Sequence, residues 1–156
     1  MDVHAIKSAM DEVVQYYKDM SWGQMLITYD LLPQRSLTVS SSSPKLIQAK
    51  NACEKVISNQ GYKQGVDYDG LIFLYHTAQS GELQNSGAKG QMNGYFIWTS
   101  STDITYRVFR HEIGHNLGHD HHGRNMYNYR TTRPYFTGVT DGFDMASFPF
   151  YSTRIM

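Results

Sequence analysis

The 156-residue sequence contains a single cysteine, Cys53. An intramolecular disulfide is therefore impossible, and stability has to come from a packed core and from any metal the chain binds. Charge of either sign is not in excess: Lys plus Arg and Asp plus Glu each total 14. That balance removes the electrostatic argument for a nucleic-acid or anionic-membrane partner. No apolar run approaches the roughly 20 residues of a membrane span. The N-terminus also lacks the charged and apolar regions of a signal peptide. Glutamate is missing from everything beyond Glu112, so no downstream Glu can serve as a metal ligand. The length fits one domain, residues 1–156, with one core.

Apolar spacing gives the elements. Val3, Ile6, Met10, Val13, Val14, Tyr17 and Met20 recur at three- and four-residue steps, predicting a helix from about 2 to 20 that Ser21-Trp22-Gly23 stops. Met25 to Leu32 reads as a strand ending at Pro33, and Ser36 to Ser40 as a candidate short strand. Ser43 can cap a second helix with Pro44 in its first turn and Leu46, Ile47, Ala49, Cys53, Val56 and Ile57 as its buried stripe. Cys53 thus reads as a small buried apolar group. Gly70 to Tyr75 is the clearest central strand, ending before His76, and Tyr95 to Thr99 is the last one. The stretch Thr77 to Gly94 is rich in Gly, Ser, Gln and Asn, as a long loop is. Ser100 and Asp103 stand at capping-box spacing ahead of a third helix, about 103 to 117.

That third helix carries the chemistry. Residues 111 to 121 read His-Glu-Ile-Gly-His-Asn-Leu-Gly-His-Asp-His. His111 and His115 lie four apart on one helix face and can hold one metal ion, while Phe109, Ile113 and Leu117 lie on another face. Glu112 follows the first ligand, where its carboxylate can act as general base on a metal-bound water. Gly118 allows the helix to stop in a left-handed turn. His121 then completes a three-imidazole set that leaves the fourth position of Zn2+ open, as a catalytic site requires.

The pattern H-E-x-x-H-x-x-G-x-x-H resembles the metzincin clan of zinc endopeptidases, and Tyr16 to Gly23 looks like a segment of its gametolysin-like members. The resemblance implies an α+β zincin fold: a twisted, mostly parallel sheet with an antiparallel edge strand, packed helices, the active-site helix, and a loop-rich C-terminal subdomain. The division would fall at residues 1–118 and 119–156, with the family's first strand upstream of Met1. It also implies a Met-turn at Asp144-Met145-Ala146-Ser147, with Met145 as the apolar floor beneath the histidines and Met126 as competitor. Ser147 stands where some relatives carry a tyrosine ligand. Tyr151 is the nearest phenol for an oxyanion or a pocket wall, and Ala146 to Tyr151 should line the side-chain pocket. The expected activity is hydrolysis of internal peptide bonds in a protein or peptide substrate bound as an extended strand along the edge strand in 77–94, by a secreted monomer. Two alternatives stand beside it: an aspartate-liganded zinc protease completed by Asp141 or Asp144, and a catalytically silent zinc- or peptide-binding module. A retained Glu112 speaks against the silent module, and Gly118 with His121 against the aspartate ligand. His119 and His122 flank the third ligand and would bind adventitious metal or face solvent.

Overall fold

A computed structural model of the chain describes residues 2–37, 46–75, 87–100, 104–119 and 152–155. Helix α1 spans Val3–Met20, and the side chain of its N-cap Asp2 accepts from the backbone N–H of His4 and Ala5. Those bonds satisfy two of the donors every helix start leaves open. The predicted stop is observed. Trp22 and Gly23 both take positive φ, 59° and 78°, and the Gly23 N–H returns to Lys18 O at 2.7 Å. Ser21 Oγ then accepts from Met25 N–H at 2.8 Å, which aims the chain into strand β1, Leu26–Tyr29.

Helix α2 covers Leu46–Asn59, β2 Leu71–Tyr75, β3 Lys89–Gly90, β4 Phe96–Ser100, α3 Tyr106–Asn116 and β5 Ser152–Ile155. β2 and β4 pair in parallel, and β3 pairs antiparallel with β4 at its outer side through Lys89↔Trp98 and Gly90↔Ile97. β1 pairs in parallel with β5, and a single bridge from Ile155 to Gly70 reaches the start of β2. Among the described residues the result is an α+β fold with a small mixed sheet and three helices.

Strand alternation divides the core between the two faces. Ile72, Leu74 and Ile97 point to the side of α1 and α3, where Met10, Val13, Tyr17, Phe109 and Ile113 are buried. Leu71, Phe73, Phe96 and Trp98 point the other way, onto Cys53 and Ile57 of α2. Cover on both faces explains why Leu71 to Tyr75 reads as an unbroken apolar run rather than an alternating one.

Several expectations change. β1 is shorter than predicted because Asp30 to Leu37 form no ladder, and the part of the proposed Ser36 to Ser40 strand that is described, Ser36 and Leu37, is not a strand. Ile47 is 56% exposed: the buried face of α2 runs through Ala49, Cys53 and Ile57, and a residue two before Ala49 points away from it. Ser100 belongs to β4, so it cannot cap α3; Thr105 does, its hydroxyl accepting from Val108 N–H at 3.3 Å. Ser152–Ile155 form a strand in a region expected to be loops. Its only large apolar residue is Ile155, buried in the core of the α1 side, so its pairing depends on β1 rather than on a pattern of its own. Ser43, Pro44, His76 and Asp103 lie outside the described residues.

Candidate metal centre

α3 is held from below by α1. The Tyr17 hydroxyl, on a fully buried side chain, donates to the carbonyl of Arg110 at 2.8 Å. Burial pushes its phenol well above the usual tyrosine range, so it remains a donor at any ordinary pH. The Arg110 guanidinium lies over the Tyr16 ring at 4.7 Å and the Tyr106 ring at 5.6 Å, a cation–π arrangement across the two helices. Phe109 and Ile113 are buried against the sheet side. The residue immediately before His111 is therefore fixed in both height and rotation.

The two helix histidines converge. His111 Nε2 and His115 Nε2 are 3.1 Å apart with the rings edge to face. Two nitrogens bound to one tetrahedral zinc at about 2.0–2.1 Å each would lie about 3.3 Å apart, so the pair fits one ion with a small adjustment. His115 Nδ1 is 2.5 Å from the carbonyl oxygen of His119. A carbonyl can only accept, so Nδ1 carries a proton and donates it there, while Nε2 faces His111. This is the outer contact that orients metal-binding imidazoles generally. Glu112 is 6% exposed and His115 also 6%.

His119 does not face solvent. It is partly buried, and its imidazole is pushed down to about 4, first by burial and then by the neighbouring His115. It is therefore neutral near pH 7, and its carbonyl is the part that serves the site. Gly118 takes the expected left-handed turn, φ 93°, which brings the His119 N–H back to Gly114 O at 2.9 Å.

The edge strand packs directly on this helix. A Cβ on Gly90 would sit 2.3 Å from the carbonyl oxygen of Glu112, so β3 touches the helix backbone at the residue after the first histidine. The turn Gln91 to Gly94 then meets the helix end. The Asn93 N–H donates to His115 O at 2.9 Å, and Asn116 Nδ2 donates to Gln91 O at 2.8 Å and Phe96 O at 3.4 Å. Sequence reasoning missed this joint. Its only local signal was Asn93-Gly94, a pair that favours tight turns, and Asn93 does take φ 51°.

The structure thus brings His111, Glu112 and His115 together with the edge strand. His121, Met126, Met145, Ser147, Tyr151, His122, Asp141 and Asp144 lie outside the described residues. Among the described residues no group of three or more His, Cys, Asp or Glu side chains gathers as a metal set; two imidazoles of the expected three are in view. No helix among the described residues is long and apolar enough to cross a membrane.

A helix-borne histidine pair with an intervening buried glutamate, beneath a sheet edge, is the arrangement of a metal-dependent hydrolase. The family described as Metallo-peptidase family M12B Reprolysin-like matches residues 3–122, and the chain belongs to it. The match takes in His111 through His121 and ends before Met145 and Tyr151. It lends no support to the finer gametolysin-like resemblance. No curated protein and no solved structure matches the chain.

Proposed function

We propose that the protein is a zinc-dependent endopeptidase of the metzincin type. The observation that carries this reading is the convergence of His111 and His115 Nε2 at 3.1 Å with Glu112 between them on the same helix. His121 is the proposed third ligand, Met145 the apolar floor, and Tyr151 a pocket-wall or oxyanion group. The stretch after His119 is the proposed lower wall of the cleft, up to Ser152–Ile155, which return to pair with β1. When bound, zinc would supply Lewis acidity and an acidified water near neutrality. Glu112 takes the proton released as the scissile carbonyl is attacked and passes it to the departing amine. Among the described strands Lys89 and Gly90 lie at the outer edge, where a protein or peptide substrate would add as an extended strand and be held in register.

Secretion and a monomeric state accompany the reading as expectations from the family. The test is substitution. Glu112→Gln should retain one zinc per chain and lose peptide cleavage by about 10²–10⁴-fold, whereas His115→Ala should lose both. A Glu112→Gln protein of undiminished activity would remove Glu112 from the mechanism.

A further inference from the structure

We infer that Asn116 is a positioning residue for the substrate-binding edge, tying the β3–β4 turn to the C-terminal end of the metal helix; this rests on the reading of β3 as that edge. Asn116 follows His115 directly, and its side-chain amide donates to carbonyls on both arms of the turn, Gln91 O at 2.8 Å and Phe96 O at 3.4 Å. The joint is closed from the other side by Asn93, whose N–H donates to His115 O at 2.9 Å. Asn93 sits in the left-handed region, which asparagine tolerates better than most residues. Its side chain occupies the space a Cβ on Gly118 would need, 2.5 Å from Asn93 Oδ1. Gly118 thus does two things: it ends the helix, and it leaves room for the turn.

The strand is therefore located by two contacts about one helical turn apart. Gly90 rests on the backbone of Glu112, and the turn is bonded to Asn116. With both in place, the outer edge of β3 has a fixed height above the histidines and the glutamate. Removing the amide donors releases the turn, while His111, Glu112 and His115 stay on a helix anchored independently by Tyr17 and Arg110. The loss should therefore fall on peptide binding, with the proton-transfer step and the metal left intact.

The test compares Asn116→Leu, of similar size without donors, Asn116→Asp, which presents oxygens to the two carbonyls, and Asn116→Gln, which keeps an amide. Hydrogen exchange on the zinc-loaded chain is the first readout. The Gln91 and Asn93 amides, which bond to Phe96 O and His115 O, should exchange about five- to tenfold faster in the Leu and Asp variants. Amides in the middle of α3 should not change, and the Gln variant should recover part of the protection. For an unbiased peptide library, KM should rise by about the same factor with kcat and zinc stoichiometry unchanged. Unchanged exchange at Gln91 and Asn93 in Asn116→Leu overturns the inference, as does a fall in kcat or zinc content with KM constant. Should the wild-type chain cleave nothing, the endopeptidase reading fails, and exchange at the turn still decides whether Asn116 holds it.

Discussion

Gly90→Ala adds one methyl group where β3 packs most closely on α3. Its Cβ would lie 2.3 Å from Glu112 O, 3.0 Å from Glu112 C and 3.1 Å from Glu112 Cα. All three are backbone atoms in a helical turn, so no side chain can rotate aside. An ordinary contact begins near 3.4 Å, so β3 and α3 would have to separate by about 1 Å. That retreat works against the Lys89↔Trp98 and Gly90↔Ile97 pairing and against the bonded turn beyond it. Overpacking of this kind costs about 1–3 kcal/mol, and at roughly 2–4 °C per kcal/mol for a chain of this size the melting temperature should fall by ~2–12 °C. Gly87→Ala is the control: Gly87 is exposed, with no atom of the described residues within 4 Å of its Cβ position and no positive φ. Chemical denaturation of both variants, followed by far-UV circular dichroism, gives the difference directly. A Gly90→Ala protein within about 0.5 kcal/mol of the Gly87→Ala control would refute the close packing of edge strand on helix.

Tyr17→Phe removes the hydroxyl that bonds Arg110 O at 2.8 Å and should cost about 1 kcal/mol, read as a lower denaturation midpoint with unchanged helical signal; an unchanged midpoint would mean that this bond does not anchor α3. Cys53 offers a pH test. Burial first, and the Glu54 charge second, push its thiol up to about 11, so the folded chain at pH 8 should react with iodoacetamide at least ~10-fold more slowly than the chain in denaturant. Because the folded value is raised, the contribution to stability is whole below about pH 9 and is lost as pH rises toward about 11. Equal labelling rates would contradict the buried placement.

The sequence was most informative where one element's own period settled the matter. α1 carries its stripe and its Ser21-Trp22-Gly23 stop within a single stretch, and Leu71 to Tyr75 announces a strand covered on both faces. The histidine pair of α3 was legible for the same reason: the four-residue spacing of His111 and His115 is a property of the helix alone. What stayed hidden depends on contacts between distant segments. Ser152–Ile155 form a strand because β1 is there to pair with, and only Ile155 bears an apolar mark of it. The cap of α3 went to Thr105 because Ser100 was already committed to β4. His119 serves through its carbonyl, a group every residue has, so no side-chain pattern could single it out. The joint of Asn93, Asn116 and Gly118 is likewise a meeting of two turns that the sequence keeps more than twenty residues apart. His121, read from its spacing, and Met145 and Tyr151, read from the resemblance, lie outside the described residues.

In the proposed reaction one zinc ion, held by the helix histidines with Glu112 as base, serves to cut internal peptide bonds. Zinc stoichiometry measured together with cleavage of an unbiased peptide library, with and without chelator, on wild type and Glu112→Gln, tests it most directly. The account predicts one zinc per chain in both proteins and chelator-sensitive internal cuts by wild type only. One zinc with no cleavage by wild type would contradict it and leave a silent zinc- or peptide-binding module.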